Sequence, residues 1–180
     1  FKVFEKVINA RSKERGEIQA ALKLGKWWVI FAARSEEVFV GEKIVCPQRS
    51  HKNTFGYNSS EWFASADVYF ITSITQRYSL KYFLAILNSK LYFFWLFHKG
   101  KRKGDMLELY YTPLTQIPIY PLSLNDQQPY ITRINQIISM KSKGSDTTKL
   151  ENDIDVMVYK LYDLTYEEVK IVDPEFWMSV

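Results

Sequence analysis

A chain of 180 residues can bury a full hydrophobic core as one domain, or as one domain with a small helical extension. Hydrophobic residues at 47% and aromatics at 16% exclude intrinsic disorder, and a single cysteine, Cys46, excludes an internal disulfide framework or a cysteine-rich zinc site. The net charge of +4 is divided unevenly: residues 1–104 carry 18 Lys and Arg against 8 Asp and Glu, and residues 105–180 carry 6 against 12. A basic segment joined to an acidic one is expected where one part faces a polyanion; clustering of ordinary solvated charge is the alternative. With only His51 and His98 available, a catalytic metal site would need several carboxylates. The lone cysteine and the lack of a legible signal peptide or membrane anchor lead us to expect a cytoplasmic protein with no membrane partner. A start at Phe1 rather than Met is what a piece of a longer protein would show.

In chain order, residues 1–26 read as an irregular or part-helical lead-in with a basic cluster at Arg11, Lys13 and Arg15. Trp27 to Ala33 is a continuous apolar run closed by Arg34, which predicts a buried strand. Val38 with Val40, and Lys43 to Cys46, predict two short strands, with Gly41 permitting the turn and Pro47 ending the second. Arg49 to Ser60 is polar and loop-like, and Asp67 to Ile74 alternates as a strand does. Lys81 to Phe97 then predicts one helix, capped by Ser79 and apolar over more than half its circumference, so buried from two sides. A membrane span needs about 18–20 apolar residues, and Asn88-Ser89-Lys90 interrupts the run.

His98 to Gly104 is a basic tip between glycines, expected as a flexible loop. Met106–Tyr111 and Gln116–Tyr120 predict strands about a Thr112-Pro113 turn, with Pro118 placing the second at an edge. From Asn125 the period becomes helical: Ile131, Ile134 and Ile138 share a face and Gly144 marks the end. A polar connector, Lys141–Lys149, precedes a helix carrying Leu150, Ile154, Met157, Val158 and Leu161. Thr165 with Glu168 forms a capping box for a last short helix. The fold class expected is α+β: a mixed, mostly antiparallel sheet around one buried helix in residues 1–122, followed by a C-terminal helical segment, residues 123–180.

No chemistry is legible along this chain. There is no glycine-rich phosphate or dinucleotide loop, no Asn-Pro-Pro-Tyr-like loop to hold a flipped base, and no nucleophile elbow. The one Glu-x-Lys triplet that a metal-dependent nuclease could use, Glu168-Val169-Lys170, falls where Glu168 already caps a helix. No catalytic, metal or cofactor residue is therefore expected here. Two basic features remain. The Lys99, Lys101, Arg102, Lys103 tip can follow a phosphate backbone. The loop with Arg49, Lys52, Asn53 and Tyr57 mixes point charge with residue types that read guanine, read adenine and stack.

Several segments, in order, match one family: Trp28 then Arg34; Phe39, Lys43-Ile44-Val45 and Pro47; Phe55-Gly56-Tyr57; and Leu84-Ala85-Ile86-Leu87-Asn88-Ser89-Lys90-Leu91. Tyr110, Ile117-Pro118-Ile119, Ile154-Asp155 and Tyr159-x-Leu161-Tyr162-Asp163-Leu164-Thr165-x-Glu167-Glu168 follow. In these the chain resembles the TaqI-like C-terminal specificity domain, the target-recognition part of adenine-specific DNA methyltransferases and of fused type IIG restriction-modification enzymes. The Ile-Pro-Ile segment with Gln127 and Gln128 is also similar to type I specificity subunits. Asp163 stands where the family commonly has glycine, and aspartate tolerates the left-handed turn required there.

The resemblance implies a module that selects the sequence of double-stranded DNA and is not an enzyme by itself. The methyltransferase domain of the same polypeptide would bind S-adenosylmethionine, and Mg2+ would enter only with a nuclease domain. Charge and loop placement, rather than the resemblance, make Arg34, Arg49, Lys52, Asn53, Tyr57, Lys99, Lys101, Arg102 and Lys103 the expected DNA contacts. The alternative is a protein–protein interaction module of a larger bacterial assembly, using Trp62, Phe63, Phe176 and Trp177.

Overall fold

The computed structural model describes residues 6, 10, 16, 19, 23–25, 34–73, 75 and 77–177. The expected strand at Trp27–Ala33 and the cluster Arg11, Lys13, Arg15 lie outside these residues. The chain divides into a unit of residues 1–37 and one of residues 38–180, and the second carries the fold described below. No helix among the described residues is long and apolar enough to cross a membrane.

Val38 and Val40 lie on a single helical turn, α1 (Glu37–Val40), not on a strand. The turn lets Phe39 reach an aromatic cluster, 4.9 Å from the Phe63 ring and edge-on to Phe70 at 5.5 Å, while its carbonyl accepts the Trp62 N–H. Three of the next four strands form an antiparallel sheet in the order β3-β1-β4: β1 is Lys43–Pro47, β3 is Gly56–Asn58 and β4 is Val68–Ile71. Ile44 and Cys46 point into the core from β1. Lys43 is fully buried, and its ammonium donates to the carbonyls of Gly41 and Ser60 at 2.6 and 2.8 Å, which satisfies a charge that would otherwise be costly to desolvate.

The basic tip is not a loop. Lys101–Lys103 is edge strand β5 of a second antiparallel sheet, ordered β2-β6-β5, with β2 at Arg49–Ser50 and β6 at Met106–Glu108. Gly104 supplies the positive φ (+61°) for the two-residue turn between β5 and β6.

The single helix expected over Lys81–Phe97 is two. Helix α2 (Leu80–Leu87) begins at Ser79, whose side chain accepts the Lys81 N–H, and α3 (Lys90–His98) begins at Ser89, whose side chain accepts the Tyr92 N–H. Ser89 is extended, so the rod breaks where the sequence turns polar. Helix α2 buries Leu80, Tyr82, Leu84, Ala85, Ile86 and Leu87, whereas α3 fully buries only Tyr92 and Leu96.

Beyond β6 the chain turns into a short helix, α4 (Tyr111–Thr115), with Pro113 in its first turn, where no intrahelical donor is required of it. Gln116–Tyr120 forms no strand. Its backbone is held by tyrosines instead: the Tyr92 hydroxyl donates to the Pro118 carbonyl, Tyr82 donates to Tyr120 O at 2.7 Å, and the Tyr162 hydroxyl accepts the Tyr120 N–H at 3.0 Å. Three phenols thus replace a neighbouring strand.

The remaining helices, α5 (Gln128–Lys141), α6 (Thr148–Leu161) and α7 (Tyr166–Val172), fall where the helical period placed them. Buried Gln127 ties α5 to the start of α2, accepting the Ser79 N–H and donating to the Arg77 and Leu122 carbonyls. Thr165 and Glu168 form the expected capping box, and Asp163 takes φ +51°. One core unites Ile44 and Leu107 of the sheets with α2, α3, Ile134 of α5 and Ile154 of α6. The class is α+β, with every strand pair among the described residues antiparallel.

Candidate nucleic-acid interface

The second sheet gathers most of the basic candidates. Register places Arg49 of β2 and Lys101 of β5 on either side of Glu108 in β6, so the three side chains form one cross-strand row. The Glu108 carboxylate is buried, yet Arg49 Nε donates to its Oε1 at 3.3 Å and Lys101 Nζ to its Oε2 at 3.2 Å. Tyr110 closes the group: its hydroxyl donates to Glu108 Oε1 at 2.9 Å and accepts from Arg49 Nη2 at 2.7 Å. Both cations also lie near the Tyr110 ring, at 5.9 Å for Arg49 and 5.1 Å for Lys101. Burial works to raise the Glu108 carboxyl, but hydrogen bonds from Tyr110, Lys101 and Arg49 outweigh it and hold the group below the usual carboxylate range.

Two positive charges against one negative leave the row net positive. Lys103 projects from the same face of β5 as Lys101, because side chains alternate along a strand. Arg102 points the other way, with its guanidinium 4.0 Å above the Phe97 ring of α3. Lys99 caps the end of α3 and is exposed. The basic tip is thus divided between two faces of a hairpin.

The other candidates lie elsewhere. Lys52, Asn53 and Tyr57 line a cleft of about 640 Å³ between the β2–β3 loop and helices α2, α5 and α6. Lys52 is exposed. Asn53 Nδ2 donates to the carbonyls of Leu87 and Ser89 at 2.8 and 2.9 Å, so both of its donors are engaged within the fold. The Tyr57 hydroxyl donates to Glu42 and Lys81 Nζ sits 5.0 Å from its ring centroid, so that face already carries a cation. Burial, aided by the Glu42 bond, pushes the Tyr57 phenol up to about 12. Arg34, half-buried, belongs to the unit of residues 1–37.

The sequence motifs prove to be fasteners. Asn88 pairs with the Phe55 backbone in both directions, its Oδ1 accepting the N–H at 3.0 Å and its Nδ2 donating to the carbonyl at 2.9 Å. Asp155 accepts the Lys90 N–H at the start of α3, and Lys90 Nζ reaches Asp173, each at 2.8 Å. Burial pushes the Asp155 carboxyl up to about 6 despite that bond. Glu168 is occupied by Thr165, and Lys170 donates to the carbonyls of Pro174 and Phe176. Among the described residues no group of three His, Cys, Asp or Glu is arranged to hold a metal.

Sequence reading missed Glu108 as the centre of the basic row. A strand is legible over Met106–Tyr111, though it ends at Glu108, but pairing with a residue 59 positions earlier is not. Comparison with known proteins adds two findings. Residues 7–119 match the family described as the TaqI-like C-terminal specificity domain. A Type II methyltransferase, M.HincII, of Haemophilus influenzae is 32% identical over 97 residues, an alignment that takes in 49% of this chain and 18% of that protein.

Proposed function

This chain belongs to the TaqI-like C-terminal specificity domain family, and on that footing we propose that it selects the DNA sequence on which a restriction-modification methyltransferase acts. The observation that carries the reading is the net-positive row Arg49–Glu108–Lys101, continued by Lys103, on one face of a sheet inside a family of specificity domains. A β-ribbon of this size fits the major groove. Lys103 and Lys99 would set register on phosphates, and Arg49, with Lys101 beside it on Glu108, would read a base edge. Lys52 and Arg102 would add peripheral phosphate contacts.

Methyl transfer to adenine would be carried out by a separate domain of the same polypeptide. S-adenosylmethionine would be bound by that domain as well, a reading supported by the likeness to a Type II methyltransferase. Trp62 and Phe63, 40% and 59% exposed, offer that domain an apolar surface to rest on.

The test is duplex binding by the full polypeptide across a salt series. The logarithm of affinity should fall with the logarithm of salt by about 0.9 per phosphate contact, and replacing Lys99 and Lys103 with Gln should flatten that slope by about 0.9 for each phosphate no longer neutralised. Binding that ignores both salt and these substitutions would overturn the reading.

A further inference from the structure

We infer that Glu108 is a positioning residue that makes this interface selective, by fixing the guanidinium of Arg49 and restraining Lys101. The inference rests on the DNA-reading function proposed above. A guanidinium can offer a bidentate pair of donors along its side, Nε with Nη2, or across its end, Nη1 with Nη2. In Arg49 the side edge is engaged, Nε by Glu108 and Nη2 by the Tyr110 hydroxyl. Nη2 keeps a second hydrogen, and Nη1 has no hydrogen-bond partner among the described residues. The end edge is therefore the one presented, on a side chain 39% exposed, held by a carboxylate only 7% exposed.

The same carboxylate acts on affinity with the opposite sign. Lys101 is 61% exposed, and its bond to Glu108 competes with any phosphate. An unheld Arg49 and an unheld Lys101 would both bind phosphates wherever they met them. That raises affinity for every sequence and reads none. Glu108 thus lowers indiscriminate binding while it orients the one side chain able to distinguish guanine through its O6 and N7.

The experiment uses the full polypeptide and a library of duplexes randomised over their central positions. The sequence that wild type enriches, and a scrambled duplex, are then titrated over a salt series. Glu108→Gln frees Arg49 and Lys101 together, so it should bind the scrambled duplex more tightly, steepen its salt slope by about 1.8, and lower discrimination about tenfold. Adding Lys101→Gln should take back about 0.9 of that slope and leave discrimination low, which a merely structural role for Glu108 would not do. Tyr110→Phe removes the Nη2 acceptor without altering charge, so it should lower discrimination with the slope unchanged; it also serves if Glu108→Gln fails to fold. Unchanged discrimination in Glu108→Gln or Tyr110→Phe overturns the inference and leaves the DNA-reading function standing. A wild-type protein that binds no duplex overturns both.

Discussion

Asn88 and Asp155 look, by residue type, like members of a site, and each is instead tied to backbone. Asn88 supplies both hydrogen bonds that a neighbouring strand would have given Phe55. Asn88→Ala should therefore cost about 2–3 kcal/mol in urea denaturation, since two bonds go and two Phe55 groups are left without a partner. Asp155 sets a pH dependence. Its folded-state value of about 6 lies above the ordinary 3.8 because the carboxyl is buried, so the folded state binds that proton more tightly than the unfolded chain does. Its contribution is thus most favourable below about pH 4 and is lost as pH rises to about 6, by roughly 3 kcal/mol. Asp155→Asn keeps an oxygen acceptor for the Lys90 N–H. Its stability should match wild type near pH 4 and exceed it at pH 7.5, as denaturation at the two pH values would measure.

At the scale of elements, the junction between α3 and β5 decides how the basic hairpin is aimed. Gly100 sits in it, and a Cβ there would lie 2.4 Å from the Leu96 carbonyl oxygen, inside the helix backbone. Gly100→Ala should cost about 1–3 kcal/mol, because neither backbone can yield cheaply; amide exchange should show the destabilisation concentrated in β5 and β6. Ser89→Ala should cost about 1 kcal/mol by removing the cap of α3, with faster exchange at the Tyr92 amide. Helix positions were legible wherever the controlling interactions are local. The capping box at Thr165–Glu168 depends on neighbours three residues away, whereas α5 buries Tyr130, Ile134 and Ile137 rather than the expected Ile131, Ile134 and Ile138, the last of which is exposed. The extended runs were legible as apolar or alternating segments, but not as partners. Gln116–Tyr120 reads as a strand and is not one: tyrosines from α2, α3 and the end of α6 take the hydrogen bonds a strand would have made.

In the unit of residues 38–180, the helices after Pro121 complete the core that α2 begins: Tyr130 packs edge-on to Tyr82 at 5.4 Å, and Ile134, Ile154 and Val158 join the same cluster. Removing residues 123–180 should therefore abolish cooperative thermal unfolding, as followed by circular dichroism, by leaving a face of α2 uncovered. Composition, charge division, capping signals and the left-handed Asp163 were determined by sequence alone, because each is a property of a residue or of a span of about four. The tie of Asn88 to Phe55, the conversion of the basic tip into an edge strand, and the choice of Glu108 as the partner of Arg49 and Lys101 were decided only in three dimensions. Each of these depends on groups brought together across long separations, such as Asn88 with Phe55 or Arg49 with Glu108. Which polar side chain becomes a fastener and which stays free to meet DNA is set by who arrives beside it, and local pattern carries no record of that.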